Sequence, residues 1–148
     1  MSDFFQNGIV TTLHNLKTRS LESLEGELHD FSSHSPMALI LPCLYSELAQ
    51  DALSNIIDTL NGATYLSHVV IGLDRATESE YRHALEYFSR LKITHTVLWN
   101  DGPRARELQN ELKQHSVAPT DLGKGCNVWY CFGFIQSLPD IKVVALHD

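Results

Sequence analysis

Four short apolar runs punctuate this chain, and between them the apolar residues fall at helical spacing. The runs are Met37 to Leu44, with Ala38-Leu39-Ile40-Leu41 inside it, Leu66 to Leu73, centred on Val69-Val70-Ile71, Ile93 to Trp99, and Ile141 to Asp148. The first two are too continuous for strands with one wet face, which alternate, and too short for helices. They read as strands buried on both sides, the pattern of a parallel sheet. Pro42 cannot donate to a ladder, so the first strand is expected to lose regular pairing there. Between the runs, Ser46 opens a helix with Leu48, Ala52, Ile56, Ile57 and Leu60 as its buried stripe, and Asn61-Gly62 stops it. Thr77 and Glu80 form a capping box ahead of a helix carrying Tyr81, Leu85, Phe88 and Leu91 on one face. Asn100-Asp101-Gly102-Pro103 is a turn, and Ala105, Leu108 and Leu112 mark a third helix. Strand and helix thus alternate about four times. That order predicts an α/β fold: a mostly parallel sheet with helices on both faces.

The first 36 residues stand apart. Phe4, Phe5, Ile9, Val10 and Leu13 make an apolar opening. Leu21, Leu24 and Leu28, interleaved with Glu22, Glu25 and Glu27, predict a short amphipathic helix despite Gly26. Phe31 to Pro36 reads as a polar linker. The expected division is therefore an N-terminal segment over 1–36 and an α/β domain over 37–148.

Composition removes several functions. With 43% hydrophobic and 20% charged residues in 148, the chain can bury a core of its own. A formal net charge of −7 argues against a broad nucleic-acid surface. No apolar run is long enough to span a bilayer, and the start lacks a signal-peptide pattern. The three cysteines, Cys43, Cys126 and Cys131, are odd in number and have no metal-site spacing. They read as reduced core residues, which fits a cytoplasmic location.

The last quarter carries the chemistry. Gly123-Lys124-Gly125 precedes a mostly apolar helix, and a strand ending on Asp148 follows. A lysine at a helix mouth suits a phosphate, because free N–H groups and the helix dipole both favour an anion there. A carboxylate at the C-terminal end of a parallel strand suits a metal or a ligand, since that edge is where open sheets bind. Glu47 and Asp74, after the first and second strands, belong to the same edge. They can line a ligand crevice, or serve only as acids near helix starts. His147 is the histidine placed nearest this edge. Trp129, Tyr130, Phe132 and Phe134 are expected in the core. A Walker loop and a Gly-x-Gly-x-x-Gly turn are both absent, which counts against a P-loop ATPase and a dinucleotide dehydrogenase.

Four segments, in order, carry a resemblance. Leu41-Pro42-Cys43-Leu44-Tyr45-Ser46-Glu47 resembles the segment after the first strand of GT-A glycosyltransferases, whose sheet is Rossmann-like. Leu73-Asp74-Arg75-Ala76-Thr77-Glu78 resembles their segment after the second strand. Gly123-Lys124-Gly125 with Trp129 is similar to a stretch of glucosyl-3-phosphoglycerate synthases and mannosylglycerate-type synthases. Asp140 to Asp148 is similar to the run into their Asp-x-Asp.

The resemblance implies a hexosyltransferase that takes a nucleotide-diphosphate sugar, UDP-glucose or GDP-mannose, and a small acceptor such as 3-phosphoglycerate or glycerate. It implies donor contacts from Pro42, Leu44, Glu47, Asp74, Gly123, Lys124 and Gly125. It also implies Mg²⁺ or Mn²⁺ at Asp148, the first acid of the Asp-x-Asp. Tyr45, Ser46, Arg75 and Ala76 depart from the family pattern around the nucleoside. With its second acid beyond residue 148, the chain is expected to be the N-terminal, donor-binding part of a longer enzyme, weak in binding and turnover by itself. The catalytic residues are left unassigned, and a homodimer is left open. Two other readings remain: a nucleotidyltransferase, which should carry a glycine-rich loop where Pro42-Cys43-Leu44 stands, and a non-catalytic α/β interaction module.

Overall fold

A computed structural model describes residues 19–117, 119 and 123–147. The elements are α1 (Leu21–Ser32), β1 (Met37–Leu44), a 3-10 turn (Tyr45–Ala49), α2 (Asp51–Leu60), β2 (Leu66–Asp74), α3 (Glu78–Phe88), β3 (His95–Trp99), α4 (Pro103–Gln114), α5 (Lys124–Gln136) and β4 (Val143–Leu146). The strands form one parallel sheet in the order β3-β2-β1-β4. The α/β architecture expected from the alternation is the one observed.

The two faces of the sheet are filled separately, because successive strand residues point opposite ways. Leu39, Leu41, Cys43, Val69, Ile71 and Leu73 pack with Leu53, Ile57 and Leu60 of α2 and Ala84 and Phe88 of α3. Ala38, Ile40 and Val70 pack on the other face with Cys131 and Ile135 of α5. Fully burying side chains such as Phe88, Ile57 or Ile71 contributes about 1.5–3 kcal/mol each. Helices therefore cover both faces.

Several local expectations change. β1 does not stop at Pro42 but runs to Leu44, with Pro42 opposite Gly72. Ile40 turns its carbonyl toward β4, where it accepts from His147 N–H at 2.9 Å. Pro42, two residues on, faces the same side, beyond the last β1–β4 rung at Ile40 and Leu146. The missing donor thus falls where no partner strand needs it. The helix after β1 is broken at Gln50, whose backbone is extended, so Leu53 rather than Ala52 enters the core. In α3, Ala84 is buried and Leu85 is 42% exposed. α1 continues through Phe31 to Ser32, so the expected linker is shorter, and α1 buries no residue.

β4 is shorter than its apolar run, and Ala145 and Leu146 are exposed. The aromatics of α5 are not all core: Trp129 is 42% and Phe132 40% exposed, while Cys126, Asn127, Cys131 and Ile135 are buried. No helix among the described residues is long and apolar enough to cross a membrane.

Candidate functional site

The sheet order creates the site. From β1 the chain proceeds to β2 on one side, whereas β4, the last strand, lies on the other. In open parallel sheets the crevice beyond the strand ends at such a reversal is where ligands bind. Pro42, Cys43 and Leu44 end β1 at this edge, and His147 follows β4 there. Leu44 stands opposite Asp74 in the β1–β2 register, so the two following loops leave the sheet at the same level.

Each loop is held by hydrogen bonds, local in the first and from the end of β3 in the second. Glu47 reaches back to accept from Leu44 N–H at 2.8 Å, closing the turn after β1. Asp74 Oδ1 accepts from the Asn100 side-chain amide at 2.7 Å. The residues after Asp74 are gripped from the end of β3: Ala76 N–H donates to Asp101 Oδ2 at 3.1 Å, and Trp99 Nε1–H donates to the Ala76 carbonyl at 2.7 Å. Arg75 sits in the left-handed region at φ 56° between these anchors. Thr77 and Glu80 form the expected capping box, and the backbone bond from Thr77 holds the Glu80 carboxyl below its usual range. One carboxylate oxygen of Glu47 and one of Asp74 are thus already occupied in loop building.

Gly123, Lys124 and Gly125 fall where the sequence places them, at the start of α5, and all three are exposed. Gly123 is the N-cap at φ 142°, a conformation that favours glycine. The Gly123 N-cap supplies no side-chain cap, and the dipole of α5 favours an anion at this end. α5 runs against the strands: Asn127, near its start, meets Gly72 late in β2, and Ile135, near its end, packs with Ala38 and Val70. The first turn of α5 therefore faces the C-terminal edge, the side from which the β1 and β2 loops also leave.

Sequence reasoning missed Asn127 and Gly72. Asn127 Nδ2–H donates to the Gly72 carbonyl at 2.7 Å. A Cβ at position 72 would lie 1.7 Å from Asn127 Oδ1. Two signals pointed to this contact: a glycine inside a buried strand, which marks close approach, and a lone amide in an apolar helix.

The cysteines are core residues without a nucleophilic role. Burial first, then the nearby Glu47 carboxylate, pushes the Cys43 thiol up to about 12. Burial, with Asp74 adding, does the same for Cys131. A thiolate is disfavoured at both.

A cavity of about 550 Å³ opens between the loops after β2 and β3, lined by Arg75, Glu78, Trp99, Asp101 and Arg106 among others. It lies beside the β2–β3 end, not at the β1–β4 crevice. Its two arginines are offset by two carboxylates. A more apolar groove of about 800 Å³ runs between α4 and α5, with Leu108, Leu112, Trp129, Tyr130 and Phe134 in its walls. Of the exposed aromatics of α5, Trp129 lines this groove.

Asp148, the expected metal ligand, lies outside the described residues, as does the apolar opening from Phe4 to Leu13. Among the described residues no group of three His, Cys, Asp or Glu side chains is arranged to hold a metal ion.

No protein-family model matches the chain, and no solved structure matches it. Over all 148 of its residues it is 45% identical to glucosyl-3-phosphoglycerate synthase of Persephonella marina. Over 99% of its residues it is 38% identical to glucosyl-3-phosphoglycerate synthase of Methanococcoides burtonii. The chain resembles the N-terminal part of glucosyl-3-phosphoglycerate synthases. It spans 37% and 35% of the lengths of these two synthases. The similarity to the synthases is wider than the four motifs, which begin near Met37, for it takes in residues 1–36 as well. The resemblance read from the motifs is therefore borne out along the whole chain.

Proposed function

We propose that this chain is the donor-binding part of a glycosyltransferase that moves a hexose from a nucleotide-diphosphate sugar to a small acceptor such as 3-phosphoglycerate or glycerate. The observation that carries the reading is the 45% identity, along the entire chain, to a glucosyl-3-phosphoglycerate synthase. The name of that relative favours glucose as the sugar and 3-phosphoglycerate as the acceptor, and UDP-glucose is the donor we propose. GDP-mannose and glycerate are the competing pair.

The chain's own residues divide the work. Pro42 and Leu44 form a wall at the end of β1 on which the nucleoside rests, and the carboxylates of Glu47 and Asp74 face its polar edges. Lys124 and the backbone N–H groups of the first turn of α5 hold the diphosphate, since helix charge and ammonium act in the same direction there. Asp148 would hold Mg²⁺ or Mn²⁺, whose hard oxygen preference suits a carboxylate and a diphosphate, and the ion would supply positive charge beside the leaving diphosphate. The domain from 37 to 148 is the unit that does this, with 1–36 as an added N-terminal segment.

The test is turnover by the full-length protein. Incubation with UDP-glucose, 3-phosphoglycerate and Mg²⁺ or Mn²⁺ should release UDP and form the glucosylated acid. Absence of UDP or GDP release with every donor and acceptor pair would refute the reading.

A further inference from the structure

We propose that Asn127 is a positioning residue of the donor site. It fixes the Gly123-Lys124-Gly125 turn against the end of β2, and so sets where Lys124 meets the donor's phosphates. The inference rests on the donor-binding reading above.

Asn127 is the only buried polar side chain among the described residues, at 3% exposure. It lies one helical turn after Lys124. Its Nδ2–H donates to the Gly72 carbonyl at 2.7 Å, and its Oδ1 takes only a long contact from the Cys131 thiol at 3.5 Å. The amide fills the space that a side chain at position 72 would occupy: a Cβ there would lie 1.7 Å from Asn127 Oδ1 and 2.7 Å from Cys131 Sγ. Gly72 is two residues before Asp74, so one hydrogen bond joins the two halves of the proposed site.

Packing alone does not call for this amide. α5 is already seated by Cys131 and Ile135 against Ala38, Ile40 and Val70. A leucine would fill the same space without bringing a polar group that must find a partner. Apolar contacts are non-directional and let a helix slide or roll slightly. A short N–H···O bond is directional and fixes both its rotation and its axial register. The bond is made near the start of α5, one turn from the residue whose placement matters to a phosphate.

The experiment measures UDP-glucose affinity by titration calorimetry on full-length wild-type protein and on Asn127→Leu, with urea unfolding of each in parallel. Lys124→Ala is the control for loss of donor binding. The proposal expects Asn127→Leu to fold, with a dissociation constant raised on the order of tenfold, the scale on which outer-sphere orienting bonds act at metal sites. KM for the donor should rise while kcat changes less. Should Asn127→Leu fail to fold, Asn127→Ala, which leaves space instead of bulk beneath α5, is measured in the same way. Wild-type affinity in a folded variant overturns the proposal. Failure of both variants to fold also overturns it, because Asn127 is then a determinant of the fold and not of the site. Wild-type protein that binds neither UDP-glucose nor GDP-mannose removes the donor-binding reading itself, an outcome distinct from these.

Discussion

The side-chain amide of Asn100 donates to Asp74 Oδ1 at 2.7 Å, tying the loop after β3 to the end of β2. Asp101 and Trp99 hold the next stretch through the Ala76 N–H and carbonyl. Three consecutive residues at the end of β3 therefore shape the loop that presents Asp74 and Arg75. Asn100→Ala should cost about 1 kcal/mol, the net worth of one hydrogen bond. It should also weaken donor binding, because Asp74 is no longer aimed. Urea unfolding and donor titration check the two parts separately. A variant unchanged in both would remove Asn100 from the account.

Gly72→Ala tests the contact between β2 and α5. The added methyl cannot coexist with Asn127 where it stands, since its carbon would fall 1.7 Å from Oδ1. Overpacking of this kind costs roughly 1–3 kcal/mol. The variant should lower the urea midpoint of the chain by a matching amount. Gly125→Ala, where nothing lies within 4 Å of a new Cβ, should not.

His68 gives the fold a dependence on mild acid. Its ring bonds Thr96 Oγ1 at 2.9 Å. Burial, and then the neighbouring His95, holds its pKa below the usual 6.5. As pH falls through 6.5 the unfolded chain takes up the proton first, so stability from this group is complete above 6.5 and declines below it. His68→Gln should flatten that part of the pH–stability curve. A lower loss, below 4.5, belongs to Glu80, whose carboxyl is depressed by the Thr77 bond. Urea midpoints followed across this range separate the two.

Much of the fold was readable because the signals are local. The Ala38-Leu39-Ile40-Leu41 and Val69-Val70-Ile71 runs became adjacent central strands, and Thr77 with Glu80 became a capping box. The start of α5 at Lys124 followed from the glycines around it. What was not readable depends on the partner side of each element. α5 is apolar around most of its circumference, so periodicity cannot say whether Trp129 or Cys131 turns inward. The grip of Asn100, Asp101 and Trp99 on the β2 loop joins residues about 25 apart in sequence, with no spacing to announce it. Pro42 looked like a strand end because its missing donor was visible, while the side it faces was not.

The most direct measurement is thermal stability of the longest form of the protein with UDP-glucose and with GDP-mannose, each with and without Mn²⁺. A ligand at one hundred times its dissociation constant should stabilise the native state by about 2.7 kcal/mol. The account predicts a metal-dependent rise with UDP-glucose that is lost in Lys124→Ala. No rise with either nucleotide sugar, on a folded protein, would contradict it.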